Sequence, residues 1–325
     1  MRQSASHQIH GRGRLLSAWV LTLAMVLSAA AAPSFAAGPR QKGFSSPDTA
    51  VKALVAAVRA HDEKELLLIL GPGGRELVSS GDEVADRTDR ERFIEAYDRK
   101  NSIERKSATT RILRVGPDDW PMPIPIVKKG GKWVFDIGKG KQEILKRRIG
   151  RNELHVIDVL DAYVDAQLEY AGKDCRGAGK VEFAQKLISS EGARDGLYWE
   201  AKEGEPPSPL GPLMARAATE GYPEGHNLSP FHGYYFKILK GQGKHAPGGA
   251  YQYVVKDRML LGFGLVAYPA AYGSSGVMTF IVNQAGVVYE KNLGKDTRRL
   301  AEAMELFDPD KSWKPVKREE APARR

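Results

Sequence analysis

The sequence predicts an α+β fold in two domains. Three observations carry this. Apolar residues recur at helical spacing over 47–70 and then give way to strand-like segments up to 137. One long helical pattern follows from about 152 to 171. From Gly233 onward, short runs rich in Tyr, Phe, Ile and Val alternate with glycine turns. Helices before a curved antiparallel sheet, then one long helix packed on an antiparallel sheet, is an α+β order, because no strand–helix–strand alternation is present.

The first helix is announced by Ser46 as a hydroxyl cap and Pro47 at the first helical position. Ala50, Val51, Leu54, Val55 and Val58 form its apolar stripe. Asp62 caps a second helix through Leu70, which Gly71-Pro72-Gly73-Gly74 ends. Thr88 and Glu91 have capping-box spacing and mark the start of a third helix. Residues 102–115 read as a half-exposed strand. Ile124 to Val127, a Lys-Lys-Gly-Gly turn and Trp133 to Ile137 read as a hairpin, with Pro121, Pro123 and Pro125 placing its first strand at an edge or bulge. A short helix over 143–149 ends at Gly150, and a domain spans 44–148.

The second domain covers 150–308. Asn152 caps a helix with Ile157, Leu160, Val164 and Leu168 on one stripe. A short helix is expected over 181–189. Tyr234 to Leu239, Tyr251 to Val255, Leu260 to Tyr268, Val277 to Val282 and Val287 to Tyr289 read as strands, the last two joined by Asn283-Gln284-Ala285-Gly286. Residues 309–325 are basic, contain prolines and read as a disordered tail.

Composition limits function. Of 325 residues, 42% are apolar and 27% charged, as in ordinary globular chains. A single cysteine, Cys175, excludes an internal disulfide framework and reads as inert. Arg2, Arg12 and Arg14 precede an apolar run from Leu15 to Ala32, no acid occurs before Asp48, and Ser34-Phe35-Ala36 follows Pro33. This is a secretory signal cleaved after Ala36, and it predicts a periplasmic or secreted protein with no stable membrane span after cleavage. Removing those three arginines lowers the net charge from +9 to +6, which is modest and scattered, so a nucleic-acid partner is not expected.

Two groups of residues stand out as a ligand or partner surface. Asp118 and Asp119 precede Trp120 and set two carboxylates beside an aromatic wall. The same residues also have the chemistry of a simple turn, Gly116-Pro117-Asp118-Asp119, with Trp120 in the core. Asp158, Asp161 and Asp165 fall at helical spacing with Glu169, which suits a cation or a basic partner, with Arg147, Arg148 and Arg151 as nearby counter-charge. A solvated helix face explains the same spacing. His226, His232 and His245 are spaced too irregularly for a metal site, and Asn227-Leu228-Ser229 is a chance glycosylation match. No zincin, phosphate-loop or nucleophile-elbow motif occurs. No catalytic residue, metal or cofactor is therefore assigned.

The residues also carry resemblances. The Ser46-Pro47 helix and the Gly131-Lys-Trp-Val-Phe-Asp136 strand make the first half similar to nuclear transport factor 2-like domains, which implies a bent sheet around a conical pocket. The second half, through Gly233-Tyr-Tyr-Phe-Lys-Ile238 and Gly276-Val-Met-Thr-Phe-Ile-Val-Asn283, resembles type IV pilin-like headpieces. It lacks the pilin processing site and the hydrophobic half of the helix. Residues 44–300 as a whole resemble a family of bacterial secreted proteins catalogued as domain of unknown function 2950. The motifs are Leu70-Gly-Pro-Gly-Gly74, Asp118-Asp-Trp-Pro-Met-Pro-Ile-Pro125, Arg147-Arg-Ile-Gly-Arg-Asn-Glu-Leu154, Pro206-Pro-Ser-Pro-Leu-Gly-Pro-Leu213 and Gly276 to Asn283. That family carries no established activity. The expectation is an exported, non-catalytic envelope protein that binds a small ligand or a partner protein. The alternative is a periplasmic hydrolase or isomerase using the conical pocket.

Overall fold

The computed structural model describes residues 41–173, 181–205, 207–223 and 229–317. The signal segment, Cys175, His226, Asn227 and the tail from 318 lie outside the described residues. Helix α1 (Pro47–Arg59) starts as expected: the Ser46 hydroxyl accepts from the Thr49 amide in a capping box, with Pro47 in the first turn. Its expected stripe is buried together with Ala57. Asp62 caps α2 (Glu63–Leu70) by accepting from the Glu65 amide at 2.9 Å, and Gly71 at φ +78° ends it. The short α3 (Arg75–Val78) follows. Helix α4 (Glu83–Arg99) begins before Thr88, because Asp82 is the cap and accepts from the Ala85 amide at 3.0 Å.

Five strands complete this half: β1 (Asn101–Arg105), β2 (Thr110–Val115), β3 (Trp120–Pro121), β4 (Ile126–Lys129) and β5 (Lys132–Phe135). The path is β1-β2-β4-β5, antiparallel throughout, with β3 also on β2. The strand expected over 102–115 is instead a hairpin that folds back after Arg105, with Ile103 opposite Leu113. Ile69, Leu113, Ile126, Trp133 and Phe135 fill the space between the helices and this sheet.

Helix α5 (Lys141–Gly172) has 32 residues and is continuous through Gly150. The expected break there does not occur. A side chain at Gly150 would meet nothing within 4 Å, so this glycine only lowers local helix propensity and is outweighed by burial on both sides. Asn152 is accordingly an interior, buried residue and not a cap. The buried face runs through Leu145, Arg148, Asn152, Val156, Val159, Leu160, Tyr163 and Val164. Leu168 is exposed and Ile157 half-buried, so the stripe is rotated from the one read in the sequence. The face is fixed by packing along the whole helix and not by its second half alone.

Residues 181–189 form no helix. Phe183 bridges Met259 and Ile188 bridges Tyr198. Helix α6 (Gly211–Thr219) had no counterpart in the sequence reading; Pro212 lies in its first turn. Strand β6 (Tyr234–Leu239) is followed by β7 (Gly241–Gln242), β8 (Tyr251–Gln252), β9 (Val254–Val255) and β10 (Arg258–Met259). Then come β11 (Gly264–Pro269), β12 (Thr279–Asn283), β13 (Tyr289–Lys291), α7 (Thr297–Glu302), β14 (Leu306–Phe307) and β15 (Lys314–Pro315). The main sheet has the order β6-β11-β12-β13-β15 and is antiparallel, as a meander requires. Its core with α5 includes Tyr163, Tyr170, Phe263, Leu265 and Phe280. A second cluster joins Val266, Ile281, Ala301, Phe307 and Trp313 on the opposite face. Trp313 is buried and β15 pairs with β13, so residues 309–317 are part of the fold where a disordered tail was expected. The chain is thus α+β, with a long helix on an antiparallel sheet. The described residues all belong to one compact unit. No helix among them is long and apolar enough to cross a membrane.

Candidate functional site

Asp118 is exposed in the turn before β3. Asp119 takes the left-handed conformation at φ +51°, its carboxylate meets Lys100 Nζ at 2.6 Å, and its carbonyl accepts from Arg114 at 2.7 Å. Trp120 is 39% exposed and not in the core, and the Arg147 guanidinium lies 5.1 Å from its ring centroid. Asp158 and Asp165 are exposed and Asp161 is half-buried on the outer face of α5. The three arginines proposed as their counter-charge are engaged elsewhere. Arg147 pairs with Glu143, Arg151 pairs with Asp89, and Arg148 donates to the carbonyls of Glu76 and Leu77. The two groups lie on different elements, one in the turn before β3 and the other on α5.

The dense polar geometry lies where the first half meets the second. Arg148 is 8% exposed and forks onto the α3 carbonyls at 2.7 and 2.9 Å. Ser274 donates to the same Glu76 carbonyl at 3.0 Å. Asn152 donates to the Ser275 carbonyl at 2.9 Å, and Glu153 Oε1 accepts from the amides of Val277 and Met278 at 3.0 and 2.9 Å. The Arg147–Leu154 and Gly276–Asn283 motifs therefore meet each other directly.

Asp82 is the second node. It is 1% exposed. Besides capping α4, it accepts on Oδ2 from the Tyr222 hydroxyl at 2.9 Å and the Gly233 amide at 2.7 Å. The Tyr222 oxygen in turn accepts from the His232 amide at 3.1 Å. His232 at φ +49° and Gly233 at φ +77° make the two-residue turn between Phe231 and Tyr234 that aims these amides. The His232 ring lies 4.3 Å from that of His155, and its Nε2 is 3.1 Å from Glu220. Burial drives the His232 pKa down to about 3, with His155, Arg216, Arg151 and Arg92 acting in the same sense, so the ring is neutral. Burial also raises Asp82 against its hydrogen bonds, and raises Tyr222, whose hydroxyl stays protonated. This phenol is held as a donor and is not an activated nucleophile.

Tyr222 also walls an apolar cavity of about 110 Å³. Val159 and Tyr163 of α5, Leu213 and Met214 of α6, and Phe236 of β6 are part of its lining. The Tyr163 hydroxyl is occupied, donating to the Gly264 carbonyl at 3.1 Å and accepting from Gln167. A second, polar cavity adjoins the first and shares Tyr222, Pro223, Ser229 and Pro230 with it. Among the described residues no group of three or more His, Cys, Asp or Glu is placed to hold a metal ion. The arrangement can exclude water around an apolar group and present a polar rim.

None of Asp82, Tyr222, His155 or Glu220 was singled out by the sequence, and His232 was set aside as irregularly spaced. The nearest local signal was a histidine before glycine at the entrance to a strand.

The fold and cavity define an α+β protein with an apolar cavity beside a polar seam. The family model described as protein of unknown function (DUF2950) matches residues 41–316, and the chain belongs to that family. No curated protein and no solved structure matches the chain.

Proposed function

We propose that this is an exported, non-catalytic protein that binds a ligand through an apolar group seated between α5 and α6. Export rests on the basic, apolar and small-residue pattern of residues 1–36. The observation that carries binding is the cavity itself: its walls are apolar, and both tyrosine hydroxyls beside it are committed to protein partners. A cavity of about 150 Å³ lined by apolar side chains accepts benzene, so one of this size suits a short aliphatic or aromatic group. In the first half, by contrast, the region expected as a catalytic cone holds Ile69, Leu113, Ile126 and Phe135. The scaffolds that the two halves resemble fit a recognition role.

The test is titration of the mature protein with hexanol, followed by amide NMR shifts and thermal unfolding. Saturable shifts confined to α5, α6 and β6, together with a rise in Tm, are expected. Met214→Trp fills the cavity and should abolish both. Hexanol shifts that never saturate, or that persist unchanged in Met214→Trp, would sink the reading.

A further inference from the structure

The adjoining polar cavity, about 490 Å³, is lined by Asp82, Glu83 and Arg87 of the α4 start and by Gly221. It adjoins the apolar one, and Tyr222, Pro223, Ser229 and Pro230 line both. The pair sets an apolar chamber beside a charged vestibule. The vestibule's charges are not equivalent. Asp82 turns its oxygens inward onto the Ala85 and Gly233 amides and the Tyr222 hydroxyl, so three donors answer its charge. Arg87 is different. Gly221, at φ +90°, carries no side chain, and a Cβ there would stand 2.8 Å from Arg87 Nη2, so the guanidinium lies over the backbone at the throat. On the same helix Arg90 and Arg92 are paired with Glu63 and Asp89, whereas no carboxylate among the described residues pairs with Arg87. Among the described residues, Glu83 is the acid on the outer lip whose charge is not answered by such donors, and it stands at the first position of α4 against the helix's own positive end.

We infer that the ligand is a small amphiphile with an anionic, carboxylate-type head, its head on Arg87 and its tail in the α5–α6 chamber. A guanidinium binds a carboxylate through paired N–H donors. The inference rests on the cavity being the binding site.

The experiment compares hexanoate, hexanol and hexylamine, which share one tail, on the whole mature chain by calorimetry or NMR titration at low salt. Hexanoate should bind at least tenfold more tightly than the other two. Arg87→Gln should bring hexanoate down to the level of hexanol and leave hexanol binding unchanged. Arg87→Lys should recover part of the difference. Raising the salt concentration should weaken hexanoate alone. Hexanol binding as well as hexanoate, or hexylamine binding best, would overturn the head assignment while leaving the cavity reading standing. Failure of all three would remove both. Because Arg87 is exposed and outside both cores, the variants should fold, which an unchanged unfolding curve verifies.

Discussion

The Tyr222 hydroxyl donates to Asp82 Oδ2 at 2.9 Å across 140 residues of sequence, and the Gly233 amide reaches the same oxygen from 151 residues away. One carboxylate thus caps α4, holds a wall of the apolar cavity and fixes the turn that starts β6. Asp82→Ala leaves two amides and a hydroxyl without their acceptor and removes a helix cap. The expected loss is about 2–4 kcal/mol by urea unfolding. Tyr222→Phe removes one donor and one acceptor and should cost about 1–2 kcal/mol. A change below about 0.5 kcal/mol in Asp82→Ala would show that the node contributes nothing net, which is the size of effect seen at ordinary surface sites.

His232 sets an acid-side stability limb. Its folded pKa of about 3 lies below the ordinary 6.5, so the unfolded chain takes the proton first as pH falls. Its contribution is complete above 6.5 and declines from there toward about 3. His155, lowered mainly by burial, acts in the same direction. Asp82 and Asp86 act oppositely. Burial raises both above 3.8, so the folded state takes their protons first, and their contribution is lost as pH rises through that window. His232→Asn keeps a residue that tolerates left-handed backbone and removes the titration. Urea midpoints measured between pH 7 and 4 should fall in the parent and fall less in the variant. Parallel curves would contradict the assignment.

Gly233 and Gly249 have nearly the same backbone, φ +77° and +76°, in different surroundings. A Cβ at Gly233 would stand 2.7 Å from Asn152 Nδ2 and 2.8 Å from Ser275 Cβ, whereas one at Gly249 meets nothing within 4 Å. Gly249→Ala should cost about 1–2 kcal/mol for the conformation alone. Gly233→Ala adds displacement of the Asn152–Ser275 bond and an overpacking cost of about 1–3 kcal/mol. Equal costs for the two alanines would show that the seam yields freely.

What the sequence made legible was local. The start of α1 was readable because Ser46, Pro47 and the apolar stripe lie within one helix, and the β4–β5 hairpin because Gly130 and Gly131 sit between its strands. The start of α4 was misplaced because Thr88 and Glu91 imitate a cap, while Asp82 draws two of its three partners from beyond residue 220. Gly150 looked like a terminator because propensity is a per-residue quantity, whereas α5 is held by side chains along its whole length. The cavity drew on α5, α6, β6 and residues such as Tyr222 and Phe231, so no window of sequence contained it. The acidic residues that did stand out, Asp118 and Asp158 among them, stood out because exposed charges are easy to see.

Arg148 gives the sharpest test of the seam. It sits inside the Arg147–Leu154 motif, yet its side chain works on the α3 carbonyls, 71 and 72 residues earlier. Burial pulls its pKa down, and the fields of Asp86 and Asp89 oppose this, which keeps the guanidinium charged in a nearly closed site. Asp86 receives its compensation partly from Arg148, after the Ser80 amide and hydroxyl. Arg148→Met keeps an apolar stem but leaves two carbonyls and part of the Asp86 charge unanswered. The expected cost is about 2–4 kcal/mol. Arg148→Lys keeps the charge but cannot fork, and should recover only part of that loss. Because Arg148 and Asp86 share one field, Asp86→Asn should cost measurably less in the Arg148→Met background than in the parent, a coupling a double-mutant cycle reads directly. Strict additivity would separate the two residues and reduce Arg148 to a packing element.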